Sequence, residues 1–267
     1  MMTVLPEPYR VIAHNSAKQS DNKMHDDTVA RRFGFTGGLV PGVDVLAYMT
    51  HLPVAKWGRA FLERGLIEAR FLKPVYDGDD VEVVAEPDGE GMTIRVESRG
   101  ELCAAGAASL PEHAPPARLG NFRVVAPVTI RRPVDSSSYE LGKWLGTAPQ
   151  CWAGEAAVGY LAEVREADPV YQAEDLLHPG VLQRIMNRVL IENALLGAWI
   201  HVGSEMQLLN AARPADQLSA RAKVTGNYEK KGHRIVELDA LIVAGGDTPI
   251  AHCHHVAIYQ PRAAAAA

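Results

Sequence analysis

A short polar cluster near the N-terminus contains the side chains best suited to acid–base chemistry. The segment SDNKMH, from Ser20 to His25, brings a carboxylate, an amide and an imidazole together. An imidazole titrates close to neutral pH, and a neighbouring carboxylate can share the work of moving a proton. Taken alone, the cluster is more typical of a polar helix cap that happens to contain a histidine. Only together with the Gly-Phe and Pro-Gly segments that follow does it predict a catalytic site.

A glycine-rich turn and a long apolar run follow this cluster. The turn is GFTGG, and the apolar run extends from Leu39 to Trp57. Pro41 suits the first turn of a helix, where the missing N–H costs nothing. Gly42 then lies at the helix N-terminus, where a glycine lets the backbone approach a ligand closely. The pattern predicts a largely apolar helix that begins at this Pro-Gly pair.

The chain contains an internal repeat. The segment GLVPGVDVLAYMT aligns with LLHPGVLQRIMNR, and in each half a helical run, Leu39 to Trp57 or Leu176 to Leu196, precedes three or four strand-like segments. A helix wrapped by an antiparallel sheet, repeated once, predicts an α+β protein with a double hotdog architecture. The predicted units are an N-terminal hotdog over 1–112, a proline-rich linker over 113–122, a C-terminal hotdog over 123–262 and a low-complexity tail over 263–267.

The first half resembles the MaoC-like hydratases and dehydratases of the hotdog superfamily, which include the (R)-specific enoyl-CoA hydratases. The resemblance rests on ARFLKPVYDGD, residues 69–79, and on the order of the following positions: Asn22, His25, Ala30, Gly34-Phe35, Gly37 and Pro41-Gly42. It implies a hydratase or dehydratase acting on an enoyl or 3-hydroxyacyl thioester of coenzyme A or acyl-carrier protein. It also implies that no cofactor or metal is needed, and it leaves open a homodimer of double hotdogs.

The resemblance also implies roles for individual residues. Asp21 and His25 would be the catalytic pair, and the N–H of Gly42 would bind the thioester oxygen. Asn22 would hold the histidine loop or the substrate carbonyl. The remaining substrate contacts would be Ser20, Val40 and Pro41.

The acidic residue does not stand at the position where the family pattern has it. The family has its aspartate five residues before the histidine, where this chain has Ser20, and Lys23 replaces the family's proline. Two hypotheses remain: Asp21 serves as the acid from a loop that is one residue tighter, or the site lacks its carboxylate. Asp26 is a further substitute, although an acid in a first helical turn usually serves the helix dipole.

Two other functions remain as alternatives. Hotdog proteins also include thioesterases, in which a carboxylate activates water against the thioester carbonyl. The only acid early on the predicted central helix is Asp44, two residues past Gly42. The second alternative is an acyl-ligand-binding or partner hotdog whose acid position has been lost.

Other polar groups favour structural interpretations. His178, before the second Pro-Gly, is predicted to lie in a helix cap region. In WIHVGSE, His201 and Glu205 are expected to share one face of a strand as a polar edge. In HCHH, residues 252–255, strand alternation would split the ligands of a metal. Lys230 and Lys231 are predicted to lie in a charged hairpin. Contact with the phosphates of coenzyme A is a weaker hypothesis, since it rests only on charge.

Charge and composition exclude several classes of function. The formal net charge is −5, so no general basic field attracts nucleic acid. No apolar run approaches the roughly 20 residues that span a bilayer. The three cysteines are odd in number and widely spaced, which favours a reduced, cytoplasmic protein.

Overall fold

The computed structural model describes residues 5–262, and within them ten antiparallel strands form one continuous sheet. The order across the sheet is β1-β3-β4-β5-β2-β7-β10-β9-β8-β6. The strands are β1 Tyr9–Ile12, β2 Leu66–Phe71, β3 Asp80–Asp88, β4 Gly91–Ser98, β5 Glu101–Ser109, β6 Trp144–Gly146, β7 Ile200–Leu208, β8 Leu218–Lys230, β9 His233–Ala244 and β10 Thr248–Gln260.

Six α-helices accompany the described sheet. They are α1 Asp27–Arg32, α2 Gly42–Trp57, α3 Arg59–Arg64, α4 Glu155–Glu163, α5 Val170–Ala173 and α6 Pro179–Ile191. Short 3-10 turns cover Lys23–His25 and Leu119–Asn121. None of these described helices has the length and apolar content needed to cross a membrane.

The predicted repeat is confirmed by the order of the elements. In the first half α2 precedes β2 to β5, and in the second α6 precedes β7 to β10. The two halves join where β2 pairs with β7, from Leu66 opposite Gln207 to Arg70 opposite Gly203. The strand order is mirrored across this seam, because β5 and β10 are the next neighbours on either side.

The two long helices form the interior of both halves. Helix α2 is apolar on nearly all sides and almost wholly buried, as expected of a helix inside a core. Asp44 on α2 is completely buried and is bound by Arg184 of α6, with Nη2 and Oδ1 3.0 Å apart. This ion pair ties the helices together, and removing either partner would leave a buried charge uncompensated.

The segment predicted as a linker packs against the sheet. Its Leu119 and Phe122 lie on a cluster formed by Leu209, Leu241 and Val243 of the second half. It therefore covers apolar sheet surface as well as joining the halves. The predicted tail, 263–267, lies outside the described residues, as do residues 1–4.

Candidate functional site

A cavity of about 280 Å³ opens at the N-terminus of α2, between the two halves of the chain. The first half contributes the segments that surround His25, Gly42 and Phe71. The second half contributes α6 and the beginning of β7. The lining residues are Asn22, Met24, His25, Phe35, Leu39, Val40, Pro41, Gly42, Val45, Phe71, Leu72, Lys73, Pro74, Val75, Asn187, Trp199, Ile200, His201, Val202 and Ile258.

His25 is held in a defined neutral form at the cavity wall. Its Nδ1 lies 2.6 Å from the carbonyl oxygen of Leu39, so Nδ1 carries the proton and donates it. Its Nε2 lies 3.1 Å from Nδ2 of Asn22 and must accept, because an amide nitrogen only donates. Burial lowers the pKa of His25, and the hydrogen bond to Leu39 partly offsets that effect. His25 is therefore a neutral base with its lone pair on Nε2.

Asn22 joins the histidine loop to the second half of the chain. Its Oδ1 caps the turn by accepting from the N–H of Met24 at 3.2 Å, and it also accepts from the N–H of Trp199 at 3.1 Å. Its Nδ2 donates to the carbonyl of Trp199 at 3.0 Å as well as to His25. Capping and site formation are thus combined in one side chain.

The first turn of α2 places one unpaired backbone donor, the N–H of Gly42, at the cavity. Pro41 provides no side-chain cap, and the N–H groups of Gly42 and Val43 have no acceptor among the described residues. A Cβ at Gly42 would lie 3.1 Å from Nδ1 of His201, so a side chain here would crowd the opposite wall. Val40 is fixed by its N–H bond to Val75 at 2.8 Å. The helix N-terminus is therefore well placed to receive negative charge.

The carboxylates of the predicted cluster do not line the cavity. Asp21 is exposed, and Ser20 is half-buried with Oγ 3.4 Å from the carbonyl of Asn22. Asp26 caps α1 by accepting from the N–H of Val29 at 2.9 Å. Asp27 accepts from the N–H of Gly38 at 2.7 Å, which holds the glycine-rich turn.

The second half supplies wall residues that were not predicted as site residues. His201 is buried, and its Nε2 lies 3.0 Å from the carbonyl of Gly203 and 2.7 Å from Oγ of Ser204. Burial lowers the pKa of His201 to about 3, so its ring is neutral. Asn187 of α6 and Trp199 complete this wall.

The expectation that His201 and Glu205 share a strand face is wrong. His201 and Ser204 are both buried, whereas Glu205 is exposed. The reason is a β-bulge opposite Val256 and Ala257, which shifts the register of β7 and breaks simple alternation. The polar residues between Trp199 and Ser204, next to the repeat seam, were the signal available in the sequence.

The other polar segments are structural in the described part of the chain. His178 caps α6, as predicted, by accepting from the N–H of Gly180 at 2.9 Å. In HCHH, His252 and His254 are exposed while Cys253 and His255 are buried, as alternation predicts. The described residues contain no group of three or more His, Cys, Asp or Glu side chains suited to a metal ion. Lys230 and Lys231 are exposed and lie outside the cavity.

Comparisons with solved structures identify the architecture. A conserved hypothetical protein of Mycobacterium tuberculosis, described as a double hotdog, is 14% identical and matches 94% of this chain and 95% of its own with a TM-score of 0.66. The chain has the double hotdog fold. A protein from Chloroflexus aurantiacus described as a MaoC domain dehydratase is 12% identical, with 97% and 95% coverage and a TM-score of 0.61.

A third structural neighbour comes from a different class of hotdog protein. It is described as an oleoyl thioesterase from Lactobacillus plantarum, is 8% identical and covers 98% of each chain with a TM-score of 0.55. No protein-family model and no curated protein matches the sequence. The fold is thus shared by neighbours described as a dehydratase and as a thioesterase, so the fold alone does not determine the chemistry.

Proposed function

We propose that the protein is a hydratase or dehydratase that adds water to an enoyl thioester or removes it from a 3-hydroxyacyl thioester. One observation supports this above all others. A neutral imidazole base, His25, and the unpaired N–H of Gly42 at the start of α2 line one cavity at the seam between the halves. The thioester carrier is coenzyme A or acyl-carrier protein.

The proposed reaction needs one base that later returns its proton. As the water oxygen attacks C3, Nε2 of His25 takes a proton from that water. The electrons of the double bond move towards the thioester oxygen, where the N–H of Gly42 stabilises the developing negative charge. The imidazolium then gives its proton to C2. One water is added, and nothing is oxidised or reduced.

Asn22 keeps the base in the correct form before the reaction. Its N–H bond to Nε2, at 3.1 Å, is compatible only with the tautomer that has its lone pair at that atom. A water that donates to Nε2 replaces this hydrogen bond. The amide remains attached to Trp199 through its other hydrogen and through Oδ1.

Hydrolysis of the thioester is less well supported. A thioesterase of the predicted kind needs a carboxylate that can activate water. The nearest candidate on α2, Asp44, is completely buried and committed to Arg184. None of the described residues that line the cavity is an aspartate or a glutamate.

The lack of an aspartate or glutamate among the described lining residues favours one second candidate. A site without a carboxylate also suits a protein that binds an acyl thioester without converting it. In that case His25 and Asn22 would serve as ligand contacts only.

A direct assay separates these functions. The purified protein is incubated with a panel of short, branched and aromatic enoyl thioesters, and the enoyl absorbance and free thiol are followed together. Loss of enoyl absorbance without thiol, abolished in His25→Ala, is the expected result. Release of thiol would instead favour the thioesterase. Binding with neither change across the panel would favour the binding protein.

A further inference from the structure

We propose that Asn15, which lies outside the cavity, is a positioning residue that holds the base His25 in its working place. This inference rests on the proposed function, because it takes His25 to be the base. Asn15 follows β1 in the chain and is only 3% exposed. It reaches the histidine through the main chain of His25 and does not touch the reacting atoms.

One buried hydrogen bond connects Asn15 to the histidine. Nδ2 of Asn15 donates to the carbonyl oxygen of His25 at 2.9 Å. Oδ1 of the same amide accepts from the N–H of Ala17 at 3.1 Å. Because a carbonyl oxygen only accepts and an N–H only donates, these two partners fix the direction in which the amide faces. The His25 carbonyl therefore depends on a donor that an ionised aspartate of the same shape does not have.

The backbone that carries Asn15 is anchored to the sheet and to helix α2. The N–H of Asn15 donates to Oδ1 of Asp77, in the turn between β2 and β3, at 2.8 Å. This N–H lowers the pKa of the Asp77 carboxyl, with a further contribution from Lys18 and against the effect of burial. The N–H of His14 donates to the Tyr48 hydroxyl on α2 at 3.1 Å. Asn15 thus links His25 to the helix whose N-terminus forms the thioester site.

The glycine-rich turn packs against the same carbonyl group of His25. A Cβ at Gly38 would lie 2.2 Å from that oxygen, so the turn can pass this closely only with glycine. The next residue, Leu39, accepts the Nδ1 proton of His25 at 2.6 Å, and its N–H donates to the carbonyl of Met24 at 3.3 Å. A shift of the His25 main chain would therefore disturb the hydrogen bond that sets the tautomer and the direction of the ring.

Loss of the Asn15 amide should cost catalysis more than substrate binding. A buried carbonyl without its donor is unfavourable, so the turn that carries His25 should move to regain a partner. Misplacing a catalytic group by about 1 Å can cost about 10² in rate. We therefore expect Asn15→Ala to lower kcat for hydration by about 10- to 100-fold. Binding should change little, because Asn15 is not among the described residues that line the cavity.

Two variants remove the donor in different ways, and a second buried asparagine provides the control. Asn15→Ala deletes the amide without adding a charge, whereas Asn15→Asp keeps its shape and cannot donate when ionised. Asn193 is 8% exposed and also donates to main-chain carbonyls, those of Gly146 and Val189, at 2.9 and 2.8 Å. It does not line the described cavity. Asn193→Ala should lower stability but change kcat per folded molecule by less than about twofold.

Kinetics and calorimetry together measure the split between catalysis and binding. The kcat is measured with the best enoyl thioester of the panel, and Kd with butyryl-coenzyme A, a saturated thioester that cannot be hydrated. Thermal unfolding gives the folded fraction of each variant. For Asn15→Ala, kcat should fall by about 10- to 100-fold while Kd changes by less than about threefold. Equal losses of kcat in Asn15→Ala and Asn193→Ala would overturn the inference, since reduced stability alone would then account for them.

Nuclear magnetic resonance tests the position of the ring without any substrate. The histidine rings are labelled with nitrogen-15, and the His25 signals are identified by their absence from His25→Ala. These signals should shift in Asn15→Ala and in Asn15→Asp, and they should stay in place in Asn193→Ala. If the His25 signals are the same in wild type and in both Asn15 variants, Asn15 does not position the ring.

The two measurements separate this inference from the proposed function. If no enoyl thioester is hydrated but the His25 signals respond to the Asn15 variants, the proposed function fails and the positioning of the ring by Asn15 stands. If hydration proceeds at the wild-type rate in both Asn15 variants, the inference alone fails.

Discussion

The two long helices begin with the same Pro-Gly-Val sequence, but the surroundings of their first turns differ. At α2, the N–H of Gly42 has no acceptor among the described residues and faces a cavity. At α6, the N–H of Gly180 is bonded to His178, and the Tyr160 hydroxyl lies 1.9 Å from where a Cβ of Gly180 would be. The N–H of Gly42 is therefore open to a cavity, whereas the N–H of Gly180 is capped and crowded by Tyr160.

The chain segments that precede the helices account for this difference. Between β1 and α2, the chain forms the turn that carries Asn22 and His25. Between β6 and α6, the corresponding segment forms α4 and α5, whose Tyr160 and Tyr171 are buried beside His178. The Pro-Gly-Val motif therefore positions a backbone donor, and the preceding segment decides whether a ligand can reach it.

The largest expected effect is at the open helix N-terminus. His25→Ala removes the only base in the proposed reaction, so kcat for hydration should fall by about 10²–10⁴. Binding of an unreactive saturated thioester should change much less, because the apolar walls remain. Steady-state kinetics together with calorimetry measure both quantities. An unchanged kcat would show that the base lies elsewhere.

Adding a methyl group at each glycine should separate activity from stability. Gly180→Ala places Cβ against the Tyr160 hydroxyl and should lower the free energy of unfolding by about 1–3 kcal/mol, with activity per folded molecule retained. Gly42→Ala crowds His201 and the thioester site. It should reduce kcat, and it should lower the free energy of unfolding less than Gly180→Ala does.

A double variant sharpens the comparison at the filled helix N-terminus. Tyr160→Phe removes the hydroxyl that the new methyl would meet, so Gly180→Ala should cost less in this background. Denaturant unfolding of the single and double variants measures the coupling. Additive effects would mean that the close approach of Tyr160 does not determine the cost.

The dependence of stability on pH should come mainly from the buried histidines. Burial lowers the pKa of His178 to about 4, against the opposing influence of Glu166 and with smaller lowering effects from His51 and Arg184. A lowered pKa means that the neutral form is favoured in the folded state. Its stabilising contribution is present above the unfolded pKa of about 6.5 and is lost as the pH falls towards 4.

The variant His178→Asn isolates this contribution, because asparagine caps a helix but does not titrate. Between pH 6.5 and 4, the decline in its unfolding free energy should be shallower than in the wild type by at most about 1.4 kcal/mol per pH unit. Unfolding in denaturant at a series of pH values measures the slope. Equal slopes would assign the dependence to other groups, such as His201.

The smallest expected effect is at the displaced acid. Asp21 is exposed and lies outside the cavity, so Asp21→Asn should change kcat/KM by less than about twofold. A loss of a hundredfold or more would mean that the Asp21 carboxylate reaches the substrate during turnover. The same kinetic assay decides this point.

The sequence predicted the repeat and part of the site for identifiable reasons. Apolar periodicity and the Pro-Gly pairs depend on neighbouring residues, and they placed α2 and α6 close to their observed positions. The order of the motifs predicted Asn22, His25 and Gly42 as site residues, and these three residues line one cavity. Where the Asp21 side chain lies depends on the conformation of a short loop, which residue types alone did not determine.

The second-half wall depends on contacts that periodicity does not encode. Asn22 and Trp199 are 177 residues apart and meet only because β2 and β7 join the halves. The β-bulge in β7 then turns His201 and Ser204 inward together. Both features follow from tertiary packing. For this reason the sequence alone predicted only a polar edge for this strand.

Comparing one histidine from each helix N-terminus in a single assay is the most direct test of the central claim. Hydration of the best enoyl thioester is measured for the wild type, His25→Ala and His178→Asn under the same conditions. The account predicts a loss of about 10²–10⁴ for His25→Ala and a change within about twofold for His178→Asn. Equal losses in both variants, or full activity in His25→Ala, would contradict it.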